Sequence, residues 1–551
     1  MYYGGGGDSY TGYISEEFTD DNGEYTINPV LTVQLSSIAK NIEYLSIQFA
    51  GGIDTSYPKI FKIRTYNNSN TLIKEHITDI NTQTGLPLMV VPIGDTNVWK
   101  VEFEFVGTVC PHRRSRLNKI MFGKAERVEK HYLQDWKIDD KASLVADSIP
   151  TKTLTYSIIN YNGDYNIDFP GNKIPKEYND VLVMFTFGME KEGLWKYAPT
   201  KTFNLTDIST TPEGIVTFTC GSLLDILTKT YDRDIYNGPR TISEVMRDLL
   251  SFSEVAIDQC ELNEFAEYII NVPLPEQSVR EIIQRLAFSC GATLTVDDNN
   301  KIIFSHKNIQ DTANAPKFMF NQPKPFNSAG VLLEEPNAEA LANTTNIAMY
   351  TYDTKIVTEY DKDGNETLST LGTANVSVMT PTRISFSATA EVPQFDSLAL
   401  QEQYAQITVL ESASRHAIIQ LSFNEYATLP IQVKVYGKKI ETTQTIPKTV
   451  TMDTLLLDSG MAHETSTQKL NFLTKPNNPD KTRFYYEDWY GAKFKYMCKT
   501  RGEYLIKAGD IILFETPFSN GEANRVGYVL RNSYSDSGDS GEMEVITIGN
   551  G

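Results

Sequence analysis

Along most of this chain apolar and polar residues alternate in short runs, the two-residue period of a strand with one buried face. "LTVQLSS" (Leu31–Ser37) and "LSIQFAG" (Leu45–Gly51) show it, as does "VWKVEFEFVG" (Val98–Gly107), which puts Val101, Phe103 and Phe105 on one face. "IFKIRTYNNSNTLIKEH" (Ile60–His76) predicts two strands around Asn67–Asn70, and "RLNKIMFG" (Arg116–Gly123) a closing strand. Turn clusters separate these runs at fairly regular intervals. That spacing predicts a β-sandwich or jelly roll over Thr11 to about Arg127.

From Glu129 the pattern changes. "LTYSII" (Leu154–Ile159), "DVLVMFTFGM" (Asp180–Met189) and "GIVTFTCGSLLDIL" (Gly214–Leu227) predict further strands, the last passing into a short helix. Two segments then switch to helical spacing. In "TISEVMRDLLSFS", Thr241 and Glu244 form a capping box, and Ile242, Val245, Met246, Leu249 and Leu250 form an apolar stripe. In "SVREIIQRLAFSCG", Ser278 and Glu281 repeat the box, Val279, Ile282, Ile283, Leu286, Ala287 and Cys290 the stripe, and Gly291 suits a left-handed stop. "ATLTVDDNNKIIFSH" (Ala292–His306) predicts a hairpin turning at Asp297–Asn300. One stripe and one small sheet face can bury each other, so this unit reads as a packing module.

The stretch from about Pro323 to Thr500 is β-rich, with "RISFSATAEV", "AIIQLSFNEYA" and "IQVKVYGKKIE" as strands. "NIAMYTYDTKIVTEYDKDGNETLST" predicts a hairpin around Asp361–Asn365. Its acidic turn is not an EF-hand loop. Gly364 falls at the fourth position from Asp361 where the sixth is required, and no Glu stands at the twelfth.

Composition narrows the function classes. At 551 residues the chain exceeds one core, so several domains are expected. Its 30 Tyr and 26 Phe suit strands. A formal net charge of −20 repels phosphate backbones and argues against general nucleic-acid binding. The five cysteines (Cys110, Cys220, Cys260, Cys290, Cys498) are widely spaced, without a C-x-x-C pair, and read as free thiols of a reducing cytoplasm. The start "MYYGGGGDSYTGYISEEF" has neither the basic nor the apolar region of a signal peptide, and no run reaches the ~18 apolar residues of a membrane span.

No catalytic pattern emerges. The six histidines are His76, His112, His131, His306, His416 and His463, and "HETST" at His463 lacks the second His of a zinc protease helix. There is no G-x-S-x-G elbow and no P-loop. A Cys290–His306 contact across the hairpin is possible on spacing, but Cys290 lies on the helix stripe, where packing is the expected role. Paired acids are always available among 70 carboxylates and carry no weight.

Two resemblances rest on these stretches. "ISEEFTDDNGEYTINPVLTVQLSS", "LSIQFAG…YPKIFKIRTY" and "RRSRLNKIMFG" resemble the discoidin-type, galactose-binding-like jelly roll, also found in tail proteins of phages of Gram-positive hosts. The resemblance implies glycan binding by rim loops, with Tyr57, Trp99, His112, Arg113 and Arg114 as candidates. The same residues could equally pack loops or form a solvated basic face, since a fold does not fix a function. Second, the order "ASLVADSIPTKTLTYSIINYNGDYNI", "TFTCGSLLDILTKTY", "TISEVMRDLLSF", "SVREIIQRLAFSCGATLTVDDNNKIIF" resembles the tail hub of long-tailed phages, including the N-terminal part of tail-associated lysins. "YLIKAGDIILFETPFSNGEANRVGYVLRNSYSDSGDSGEMEVITIG" (Tyr504–Gly549) is similar to that family's closing β domain.

The hub resemblance implies a homotrimer whose subunits each offer two β-barrel-like domains, giving a pseudo-sixfold ring between tail tube and tip. An acidic lumen would not trap passing DNA. The resulting expectation is a mainly β, multidomain chain. It comprises a discoidin-like β-sandwich (1–128), a first β-barrel-like hub domain (129–235), a helix–hairpin α+β domain (236–322), a β-rich domain with an insertion (323–500) and a closing β domain (501–551). Expected partners are the distal tail or tail-tube protein, the tape measure protein, a tail-tip or fibre protein and, through the first domain, a host-surface glycan. Neither cofactor nor metal is expected, and the location is the virion tail tip. Because the chain ends after the closing β domain, no lytic activity is expected. The other class is a glycan-binding or cell-wall-degrading surface protein. Ile282, Ile283 and Leu286, with Leu249 and Val245, are the expected packing residues of the helix–hairpin unit.

Overall fold

The computed structural model describes residues 13–49, 55–79, 88–122, 132–160, 163, 165, 181–186, 188–191, 194–197, 200–211, 214–236, 238–307, 312, 315–320, 330–334, 336–340, 344–350, 352–386, 394–396, 405–425, 429–444, 448–451, 466–471, 489, 494–500, 506–515, 525–536 and 541–547. The chain is mainly β and divides into two compact units, residues 1–130 and 131–551. His131 and His463 lie outside the described residues.

The first unit is one seven-stranded sheet. Its strands are β1 (Tyr13–Ile14), β2 (Val30–Phe49), β3 (Thr55–Ser56), β4 (Pro58–Tyr66), β5 (Leu72–Asp79), β6 (Leu88–Thr108) and β7 (Arg114–Phe122), in the order β1-β7-β2-β6-β4-β5, with β3 also on β7. The two short runs at Leu31–Ser37 and Leu45–Gly51 turn out to be one 20-residue strand. β6 runs beside it throughout, and the register shifts at Gln34/Ala39 and Ile42/Tyr44 as at bulges. Val101, Phe103 and Phe105 are fully buried, together with Phe61, Ile63 and Leu45.

The second unit begins with β8 (Leu133–Lys141), β9 (Thr151–Ile159), β10 (Leu182–Phe185), a small hairpin β11 (Gly188–Lys191) and β12 (Leu194–Tyr197), β13 (Lys201–Thr210) and β14 (Ile215–Gly221). The order β10-β13-β14-β9-β8 continues onto Arg525–Ser535. That strand also belongs to a ring. Around it, Arg525–Ser535 pairs Ile511–Phe514, then Lys317–Phe320, Gly330–Leu332 and Phe494–Thr500, and Gly541–Thr547 bonds both Phe494–Thr500 and Arg525–Ser535. The hydrogen-bonded circuit closes, as in a six-stranded barrel. Its core holds Phe318, Leu332, Cys498, Ile512, Phe514, Val529, Met543 and Val545. The open sheet beside it buries Ile138, Leu154, Phe203, Leu205, Val216 and Phe218. Thus a closed ring and an open sheet share one strand, and the ring draws residues from well-separated parts of the chain.

Between them stands the helix–hairpin unit. α1 (Leu223–Ile226) follows β14 directly; α2 (Ile242–Phe252) and α3 (Val279–Ser289) are the two capped helices. Glu244 N–H donates to Thr241 Oγ1 at 3.2 Å, and Ser278 N–H donates to Glu281 Oε2 at 2.9 Å, closing orphan ends as a capping box does. Val245, Leu249, Ile282, Ile283 and Leu286 are fully buried, packed with Leu294, Ile302 and Phe304 of the hairpin Thr293–Val296/Ile302–Ser305. Each such side chain contributes about 1.5–3 kcal/mol on burial. Gly291 has φ +64°, where a residue with a Cβ would be strained. Residues 369–437 carry a separate core of Leu371, Ile384, Ile419, Leu421, Val433 and Val435. Asp361 Oδ1 accepts from the N–H groups of Asp363 and Asn365, the local turn of a plain hairpin.

Candidate functional site

Among the described residues, chemistry-bearing side chains gather at the His112 turn of the first unit and at the hairpin tip of the second. In the first unit, His112 takes φ +55° at the turn before β7 and sits 2.9 Å from Asp21 Oδ1. Arg113 N–H donates to Thr19 Oγ1, and the Arg114 guanidinium lies 4.3 Å over the Phe18 ring. Tyr57 belongs to the same end: its carbonyl accepts Val109 N–H at 2.9 Å, while its half-buried ring packs on the core. So the structure brings Tyr57, His112, Arg113 and Arg114 together and adds Phe18, which is 48% exposed, and Asp21. Trp99 is not among them. It is half-buried on β6, ten residues back from Val109, roughly 30 Å along the strand at its normal rise. The sequence singled out neither Phe18 nor Asp21, because they precede β2 and meet the His112 turn only through long-range pairing.

In the second unit the acidic hairpin tip is a plug. Asp297 Oδ1 caps its own turn, accepting from Asn299 and Lys301 N–H. Asp298 reaches outward: its Oδ1 is 3.1 Å from both Lys152 Nζ and Lys201 Nζ, and its Oδ2 is 2.8 Å from Lys507 Nζ. Its carbonyl accepts Thr202 N–H at 2.7 Å. Asn300, at φ +66°, accepts Leu223 N–H at 2.7 Å and donates to Asn204. Thr293 Oγ1 donates to Leu144 O, and Gln284 to Ala146 O. One tip therefore touches β9, β13, the start of α1 and the turn before Ile511–Phe514.

The electrostatics follow from burial. Burial alone would raise Asp298, but Lys152, Lys201 and Lys507 overturn it and hold the carboxyl well below the usual carboxylate range. Burial pushes Asp140 up to about 6 against the pull of Lys152 and Lys201. Burial likewise lowers Lys201, opposed by Asp298. The arrangement is a buried clasp with acids and amines in mutual contact. His306 Nδ1 lies 2.9 Å from the acceptor Glu264 Oε1, and its Nε2 lies 3.3 Å from the backbone carbonyl of Cys290. Burial pushes the thiols of Cys220, Cys260 and Cys498 up to about 12, so they are inert as nucleophiles at neutral pH.

No protein-family model matches the chain, and no curated protein matches it. Among solved structures it is similar to the tail protein from Neisseria meningitidis MC58, with TM-score 0.37 and 8% identity, over 76% of this chain and 93% of that one. Prophage tail protein gp18 from Listeria monocytogenes EGD-e gives 0.38 and 8%, over 78% and 92%. The 43 kDa tail protein of prophage MuSo2 from Shewanella oneidensis gives 0.35 and 10%, over 78% and 95%.

Proposed function

We propose that this chain is a structural hub or baseplate protein of a phage tail or phage-tail-like particle. It assembles as a homotrimer and joins the tail tube or distal-tail ring to the tip. The observation that carries the reading is the closed ring and the open sheet that share Arg525–Ser535, braced by a helix–hairpin plug. Two such bodies per subunit would let three chains meet a sixfold tube, which is the geometry that the hub resemblance implies. In this reading residues 129–235 supply the open sheet, 236–322 the brace and one ring strand, 323–500 two ring strands and the insertion, and 501–551 the other three ring strands. The role is architectural, not enzymatic. The first unit decorates the ring, and its Tyr57, His112, Arg113 and Arg114 end contacts a host glycan; aromatic faces and guanidinium groups suit sugars.

Antibody labelling of the assembled particle tests the hub reading: label at the tube–tip junction supports it, and label absent from purified particles counts against it. Titrating cell-wall polysaccharide onto wild type and an Arg113→Ala, Arg114→Ala variant tests the glycan part. Saturable binding lost in the variant supports it, and no binding by wild type removes it.

A further inference from the structure

We propose that Asp232, Glu411 and His416 form a binding site for a first-row divalent transition cation, which staples the inserted β domain to the helix–hairpin unit. One imidazole nitrogen and two carboxylate oxygens lie within 4.8 Å of one another. This donor set suits Zn²⁺, Co²⁺ or Mn²⁺ and leaves positions for water.

The three ligands come from two bodies held in register independently of any ion. Glu411 and His416 flank the turn between the strands Ala405–Ser412 and His416–Phe423. The tip of that turn docks on residues 234–236: Ser414 N–H donates to Asp234 O at 2.7 Å, and Tyr236 N–H donates to Ser414 Oγ at 2.7 Å. Asp234 is itself fixed by Arg240 at 2.6 Å and Leu274 N–H at 2.8 Å. Asp232, two residues upstream, thus faces the hairpin in a set position. His416 Nε2 is 3.1 Å from Glu411 Oε1 and 4.0 Å from Asp232 Oδ2, so a cation needs only a small contraction to reach all three.

A second observation points the same way. The His416 side chain is 1% exposed, and its Nδ1 has no hydrogen-bond partner among the described residues. The ring is buried for what Nε2 does, and Nε2 points at the two acids. Two arginines now neutralise those acids: Arg233 at 3.1 Å from Glu411 Oε2 and Arg383 at 2.8 Å from Asp232 Oδ2. Both can yield. Arg233 is 58% exposed and also lies 5.4 Å over the Phe252 ring; Arg383 is 45% exposed and has Glu276 at 3.9 Å as a second acid. A divalent cation at Nε2 takes the place of the proton that faces Glu411, and in a neutral ring that proton passes to the unpartnered Nδ1.

The full chain is stripped with chelator and titrated with Zn²⁺ by calorimetry, with Co²⁺ absorption reporting the donor set. The expected result is one saturable equivalent per chain, weakened at least tenfold by His416→Gln and by Asp232→Asn, and tightened by Arg233→Ala, which removes the competing cation. If the His416 variant does not fold, the near-isosteric Asp232→Asn carries the test. Absence of saturable binding by wild type, or equal affinity in the folded variants, overturns the proposal.

Discussion

Asp140 and Asp298 share one buried cluster and titrate in opposite senses, which makes the clasp measurable at single residues. The folded pKa of Asp140 is raised to about 6, above its unfolded value. Between about pH 4 and 6 the folded state therefore binds more protons than the unfolded one, and this group's contribution falls as pH rises. Above 6 the penalty is complete, about 3 kcal/mol for a two-unit shift. Asp140→Asn should remove it: in urea unfolding, the variant gains on wild type by about that much from pH 4 to pH 7. A difference that does not change with pH would contradict this. Asp298 is held low, so its stabilisation is present above about pH 4 and lost as pH falls through the folded value. Asp298→Asn should cost several kcal/mol at pH 7, since it takes the counter-charge from two buried amines, Lys152 and Lys201, and from the part-exposed Lys507, and the deficit should shrink in acid. A neutral Asn variant at pH 7 would mean that the lysines reach water instead.

Among the elements, α3 and the shared ring strand make the sharpest predictions. Leu286 is fully buried mid-stripe, so Leu286→Asp puts an unpaired charge in the core. Insoluble protein or a collapsed thermal transition is expected, and a soluble variant with the wild-type Tm would show that the stripe is not core. At Gly527 a Cβ would stand 2.2 Å from Val545 Cγ1 and 2.8 Å from Phe514 Cε1. Gly527→Val therefore overpacks the ring and should lower stability by about 1–3 kcal/mol or more, read as a drop in the denaturation midpoint. This is also the scale at which the sequence was most legible. The helices, their boxes and stripes, and the Asp297–Asn300 turn are local patterns and were readable as such. The continuity of β2 was not, because register shifts interrupt the two-residue period along the strand. Nor was the clasp: Lys152, Lys201 and Lys507 are ordinary lysines until long-range pairing brings them to Asp298. The candidate glycan residues divided as well: the pairing of β3 with β7 brings Tyr57 to the end that holds His112–Arg114, while Trp99 falls elsewhere along β6.

For the whole molecule, the division at residue 130 predicts that residues 11–127 fold when expressed alone, with a cooperative unfolding transition and dispersed amide resonances. A molten or insoluble fragment would show that the first unit needs the second. The remaining chain owes its form to closure: a ring leaves no free edge, and the shared strand couples it to the open sheet. The central claim is that such bodies join in threes. Sedimentation equilibrium of the full chain, alone and with the distal-tail protein of the same particle, tests it most directly. The account predicts a species of three times the 62.0 kDa chain mass that the distal-tail ring captures. Monomer at every concentration, with no capture, would contradict it.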